Sequence, residues 1–69
     1  MKVGVRNEIE GTVMEIKRGS VMCLVKVKIA GGNVVSSVMT LESLKDLGIK
    51  KGSNVKVLIK AISVLLAVD

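Results

Sequence analysis

Between Arg18-Gly19-Ser20 and Gly31-Gly32-Asn33 the chain alternates strictly. Val21, Cys23, Val25, Val27 and Ile29 fall at period two, with Met22, Leu24, Lys26 and Lys28 between them. A helix would scatter those five residues around its circumference, whereas a strand puts them on one face. The run is therefore a strand over 21–29 with one core face. Its other face is apolar at the start and charged at the end, so the Met22/Leu24 half is set for cover by another subunit. Gly31-Gly32-Asn33 accepts the positive φ of a tight hairpin, and 34–39 returns as a third strand carrying Ser36 and Ser37 in its middle.

The rest of the chain is read around this hairpin. Over 7–17, Ile9, Gly11 and Val13 alternate with Glu8, Glu10 and Thr12, after which Met14 and Ile16 become the apolar positions. That is a strand with a change of face near Val13, and Gly11 within it points to a bulge or sharp bend. Thr40 is a helix N-cap for Leu41-Glu42-Ser43-Leu44-Lys45-Asp46-Leu47, stopped by Gly48, with Glu42 near the positive end of the dipole. Leu41, Leu44 and Leu47 suit a two-turn plug over one end of a barrel. Residues 49–54 make a turn, Val55, Val57 and Ile59 the inward face of a fourth strand, and 63–68 a fifth. The expected fold is all-β: an OB-like five-stranded small barrel in one domain, 1–69, with one short helix between strands 3 and 4.

Size and composition narrow the function. A chain of 69 residues buries only about 60% of the surface its unfolded form exposes. Yet 49% of it is hydrophobic, without a single Phe, Tyr or Trp. Burial between subunits accounts for that aliphatic excess, so an obligate oligomer is expected. The stretch 55–68 is broken by Lys56, Lys60 and Ser63, far short of the roughly 20 apolar residues that span a bilayer. No secretory h-region follows Met1-Lys2-Val3-Gly4, so the chain reads as cytoplasmic. Cys23, the lone cysteine, sits in the alternating run as a small core residue.

No enzyme is expected. The chain has no His and no metal-ligand cluster, and its six carboxylates lie apart. Gly31-Gly32-Asn33 lacks the helix and Lys-Ser/Thr pair of a phosphate loop. The net charge of +5 favours anionic partners without choosing among them. Single-stranded nucleic acid is disfavoured, because such barrels stack bases on aromatic side chains and this chain has none. A tetrahedral oxyanion needs only converging donors: turn amides, hydroxyls and one or two Lys or Arg side chains.

Arg6-Asn7-x-Ile9-x-Gly11 at the start and Ile59-Lys60-Ala61 near the end, with the Gly31-Gly32-Asn33 hairpin and the Leu47-Gly48-Ile49-Lys50-Lys51-Gly52 turn between them, carry a resemblance. The chain resembles the molbindins, the small molybdenum-pterin-binding (Mop, TOBE-like) proteins, over 6–67. The resemblance implies reversible binding of molybdate or tungstate for storage or homeostasis, with no cofactor and with the metal held only as its oxyanion. It implies subunits that interlock by strand exchange and a homohexamer built as a trimer of dimers. Carried onto this chain, Arg6 and the backbone around it, Gly4 included, form one wall of an inter-subunit site. Lys60 and Ala61 from a neighbouring chain form the other. Gly19, Ser20 and Val21 resemble the segment whose amides serve a second site near a symmetry axis. Plainer roles stay open: a salt-bridging Arg6, a solvated Lys60, a simple turn at Gly19-Ser20.

This chain departs from the family's pattern at two places. Gly4 stands where Ser is common, and Ala61-Ile62 where a Ser-Thr pair is common. Charge-assisted donors are worth about 1.5–3 kcal/mol each, so the first site is expected to be weakened or reshaped. A backbone-built second site would be untouched. An oligomeric scaffold of the same fold without anion sites is the alternative reading.

Overall fold

In the computed structural model, which describes residues 7–69, the alternation builds a sheet of four strands. These are β1 (Asn7–Arg18), β2 (Met22–Ile29), β3 (Val34–Thr40) and β4 (Asn54–Ile59). They form one curled antiparallel sheet in the order β3-β2-β1-β4, an open half-barrel. The core is small: Val13, Cys23, Val25, Val27 and Leu44 are buried, with Ile16, Ile29, Met39, Val55 and Val57 packed partly against them. Cys23 is one of these core residues, as its place in the alternating run requires.

The change of face in β1 has a definite cause, and it is not at Gly11. The register against β2 runs Val13↔Val27 and then Glu15↔Lys26, so Met14 is the extra residue of a bulge. The bulge restores inward pointing at Ile16, which pairs with Val25, while Met14 stays exposed. Beyond it, Glu15 faces Lys26 across the strands and forms an ion pair of 3.5 Å. Gly11 serves a different purpose, because a Cβ there would lie 2.5 Å from Val27 Cγ1 and 2.9 Å from the Lys28 carbonyl. The glycine lets β1 and β2 cross closely where the sheet coils.

The helix forms where its caps dictate. Helix α1 (Leu41–Leu47) follows β3 directly; the Ser43 amide donates to Thr40 Oγ1 at 3.0 Å, and Gly48 closes the other end at φ 66°. Leu44 is buried and Leu41 partly so, but Leu47 is largely exposed. A seven-residue helix turned over one mouth of the sheet can insert one stripe only, and Leu47 falls at the rim. The hairpin between β2 and β3 closes through Gly31 and Gly32 at φ near 80°.

The expected fifth strand is not formed. After β4 a 3-10 turn, Ala61–Ser63, redirects the chain, and residues 64–69 carry no strand assignment. An apolar run becomes a strand only when a ladder partner is in reach, and among the described residues this one has none. It leaves as an arm with Leu65 and Leu66 each 93% exposed. The half-barrel stays open between β3 and β4 along a groove of about 320 Å³ lined by Val25, Val35, Met39, Leu47, Val55 and Val57.

Replacing Gly11 by Ala should push β1 and β2 apart at the core. The expected cost of overpacking is about 1–3 kcal/mol, which lowers the melting temperature by roughly 4–8 °C per kcal/mol for a domain of this size. Thermal denaturation followed by circular dichroism measures it, and an unchanged midpoint would contradict the close-crossing account.

Candidate functional site

β1 and β4 meet at one corner of the sheet. Asn7 pairs with Ile59, and the Asn7 side-chain amide donates to the Ile59 carbonyl at 3.3 Å. This tie holds the last residue of β4 just before the chain turns. Lys60 then caps the 3-10 turn in an extended conformation (φ −66°, ψ 135°), and the turn closes through Ser63 N–H to the Lys60 carbonyl at 2.9 Å. Val64 N–H reaches the Ala61 carbonyl at 3.3 Å, so the turn's own bonds leave the amides of Ala61 and Ile62 unused. Lys60, Ala61 and Ser63 are exposed. Beside them lies a cleft of about 400 Å³ lined by Asn7, Glu8, Ile9, Ile59 and Val64.

Of the residues singled out from sequence, Lys60 and Ala61 share this corner. Gly4 and Arg6 lie outside the described residues; Arg6 precedes Asn7 in sequence as Lys60 follows Ile59, its ladder partner. Gly19, Ser20 and Val21 are at the far end of β1, in the hairpin to β2. There Gly19 N–H donates to the Met22 carbonyl at 2.8 Å, and the Val21 carbonyl accepts from Leu41 N–H at 2.9 Å. All three residues are exposed. Twelve residues of strand separate the two places, on the order of 40 Å along the strand at its usual rise. One chain therefore holds two separate donor groups.

Ser63 was not singled out from the sequence, because it reads as the first residue of a fifth strand. The 3-10 turn instead places its hydroxyl in the same turn as Lys60. A turn signal was present in principle, since the apolar alternation of β4 breaks at Lys60-Ala61. Ile62 projects from the same turn at 91% exposure.

The chemistry offered by the turn is donation: one ammonium, one hydroxyl and turn amides, with Glu8 the carboxylate lining the cleft beside it and no cluster of metal ligands among the described residues. Such a set suits an acceptor-only anion. Within one chain it is open on its outer side. A larger concavity, about 640 Å³, lies elsewhere along β1, β2 and β4, and Glu10 lines it with Lys28 and Lys56. The carboxylate there opposes a bare oxyanion, and that surface does not belong to the corner.

The TOBE domain family matches residues 5–66. A probable molybdenum-pterin-binding protein of Haemophilus influenzae is 41% identical over the full length of both chains. Molybdenum-pterin-binding protein 3 of Clostridium pasteurianum is 38% identical, covering 96% of this chain and 97% of its own. Among solved structures, MopII from Clostridium pasteurianum superimposes with a TM-score of 0.88 at 33% identity, over 97% of this chain and all of that one. A molybdate-binding protein from Sporomusa ovata gives 0.89 at 33% identity, over 97% and 98%. The cytoplasmic molybdate-binding protein ModG gives 0.80 at 38% identity, where this chain covers 43% of a longer one.

Replacing Asn7 by Ala removes the tie on Ile59. A part-buried hydrogen bond of this kind contributes about 0.5–1.5 kcal/mol. Amide hydrogen exchange at Ser63 and Val64, the two amides bonded within the turn, should speed up several-fold while exchange at Val25 and Val27 stays unchanged. Equal rates in the two proteins would show that the corner is held by something else.

Proposed function

The chain belongs to the TOBE domain family, and from that premise we propose that it binds molybdate or tungstate reversibly, as a cytoplasmic store or buffer, at sites completed between subunits. What carries this reading is the end-to-end similarity to a molybdate-binding protein and to a probable molybdenum-pterin-binding protein, combined with a donor corner that one chain leaves open. Molybdate and tungstate are dianions at neutral pH and only accept hydrogen bonds, whereas phosphate also carries protons. A site of donors alone therefore favours the first two over phosphate without a metal ligand or cofactor.

In the proposed site Lys60 supplies the charge, and the amides of Ala61 and Ile62 with the Ser63 hydroxyl supply the geometry. Arg6 and the backbone at Gly4, from the facing subunit, close the other wall. Gly19, Ser20 and Val21 form a second site through backbone N–H groups where hairpins of several subunits converge. Neither site asks for proton transfer or a nucleophile, so the function is recognition and release.

Assembly is the other half of the proposal. The arm 64–69 is exposed and apolar, and β3 has a sheet neighbour on one side only among the described residues. We read these as two halves of a strand exchange that closes the barrel of a partner copy, with a trimer of such dimers as the full particle. An anion held between subunits then stabilises the assembled state by mass action. No helix of the described residues is long and apolar enough to cross a membrane.

Isothermal titration calorimetry with molybdate and tungstate, using sulfate and phosphate as controls, tests this. Saturable heat is expected with the first two alone; no heat from a folded, assembled protein would leave the scaffold reading. Lys60→Ala should weaken binding at least tenfold, the equivalent of about 1.4 kcal/mol. Ile62→Thr, which adds a hydroxyl to the turn, should tighten it by a factor of several. A Lys60→Ala protein with unchanged affinity would remove the corner from the proposal.

A further inference from the structure

We infer that the arm-and-edge surface of this chain does not distinguish self from relative, so that it forms mixed assemblies with other TOBE-domain chains. The inference rests on the strand-exchange reading above and goes beyond it by naming a second kind of partner.

The starting point is the edge. β3 pairs with β2 in unbroken register from Val34↔Lys28 to Thr40↔Met22, without a bulge. Its sequence, Val-Val-Ser-Ser-Val-Met-Thr, contains no charge and no proline. Proteins guard exposed edges with Lys, Pro, bulges or inward charges, because a bare row of N–H and C=O groups templates pairing with any strand. This edge carries none of those devices. It is built to be covered.

The arm is equally plain. Val64, Leu65, Leu66, Ala67 and Val68 carry no side-chain charge, and Asp69 is the first charged residue after Lys60. The exposure of Leu65, Leu66 and Val68, each above 90%, leaves the arm unengaged by its own chain. Arm and edge are of nearly equal length, and both are uncharged where they would meet.

Selecting one partner over another needs an element that penalises the wrong one, such as a like-charge pair or an unpaired polar group. Main-chain pairing supplies affinity without that penalty, because every strand offers the same ladder. Neither half of this surface holds a charge code. Other chains of the same fold have the matching parts. The MopII alignment covers 97% of this chain and so takes in most of the arm. The ModG match shows the fold also occurring inside a longer chain. The partner is therefore a second TOBE-domain chain, identical or related, donating an apolar arm to the β3 edge and receiving one in return.

The test is co-refolding. This chain and untagged Clostridium pasteurianum MopII are unfolded, mixed, refolded and examined by native mass spectrometry, beside each chain refolded alone. Mixed oligomers in near-statistical proportion are expected. A double variant, Leu65→Lys with Leu66→Lys, places charge on both faces of the arm at residues that support nothing in their own chain. It should keep its circular dichroism spectrum and lose most mixed species. Homo-oligomers of each chain with no mixed ones would overturn this inference alone. A chain that stays monomeric by itself would overturn the strand-exchange reading and this inference together. Mixed oligomers undiminished in the double variant would show that the arm is not the donor.

Discussion

The fold turns on the main chain of Val13. Its N–H donates to the Ser53 carbonyl at 2.9 Å, and its own carbonyl accepts from Gly52 N–H at 2.8 Å. Its side chain is 1% exposed in the middle of the core, opposite Val27. One residue thus clips the loop after α1 to the strand that carries both β2 and β4. The clip fixes where β4 enters the sheet, and the bulge at Met14 sits immediately beside it. Without the bulge, Ile16 would turn outward and the second half of β1 would lose its core face, since a shift of one residue inverts every side chain that follows. The corner at Lys60 inherits its position from the same clip, because β4 runs from that loop to that corner.

What could be read from the residues divides along the range of the forces involved. The strand through Val25 and Val27 was legible because alternation is a local pattern and the burial follows it. The helix was legible because Thr40 and Gly48 act within one turn of its ends. The change of face near Val13 is legible in the alternation, but the pattern does not say which residue is the extra one, and Gly11 draws the bulge or bend three residues from its place at Met14. Gly11 was rightly taken as special, but the reason is a close crossing that only the packed sheet reveals. The fifth strand was misread for a sharper reason: residues 64–69 have the composition of a strand, but a strand is a relation between two segments. The same misreading hid Ser63, whose hydroxyl belongs to the Lys60 turn. Gly4 and Arg6 lie outside the described residues, so the facing wall stays as the family resemblance gave it.

The apolar surplus in the composition and the open geometry are one fact at two scales. Half of the residues are hydrophobic, yet among the described residues only Val13, Cys23, Val25, Val27 and Leu44 are buried. The remainder is distributed by position: along the open groove, on the outer face at Met22 and Val38, in the turn before β2 at Val21 (which the alternation puts on the core face), and on the arm. A closed barrel would have used the arm to cover its own groove. An open one exports the arm and leaves a complementary vacancy, which the proposed strand exchange would fill from a partner copy. The lone-chain core is accordingly minimal, and stability and assembly are expected to be one measurement.

That dependence also bears on how so plain a corner could hold a dianion. Lys60 is exposed, and two unit charges 4 Å apart in bulk water attract by only about 1 kcal/mol. At an effective dielectric of 20, typical of a partly covered site, the same pair gains about 4 kcal/mol. In the proposed assembly a second chain laid over the corner would do more than add Arg6; it would change the medium in which Lys60 acts. The turn amides benefit in the same way, because a donor aimed at a charge strengthens as water is withdrawn. A corner built from one lysine, one serine and a few peptide groups needs no further protein chemistry if closure supplies the low dielectric. By the same argument, losing the hydroxyls at Gly4 and Ile62 weakens the proposed site less than their number suggests. Part of the binding energy resides in the burial, and burial is set by the arm, the β3 edge and the apolar faces rather than by the ligands themselves.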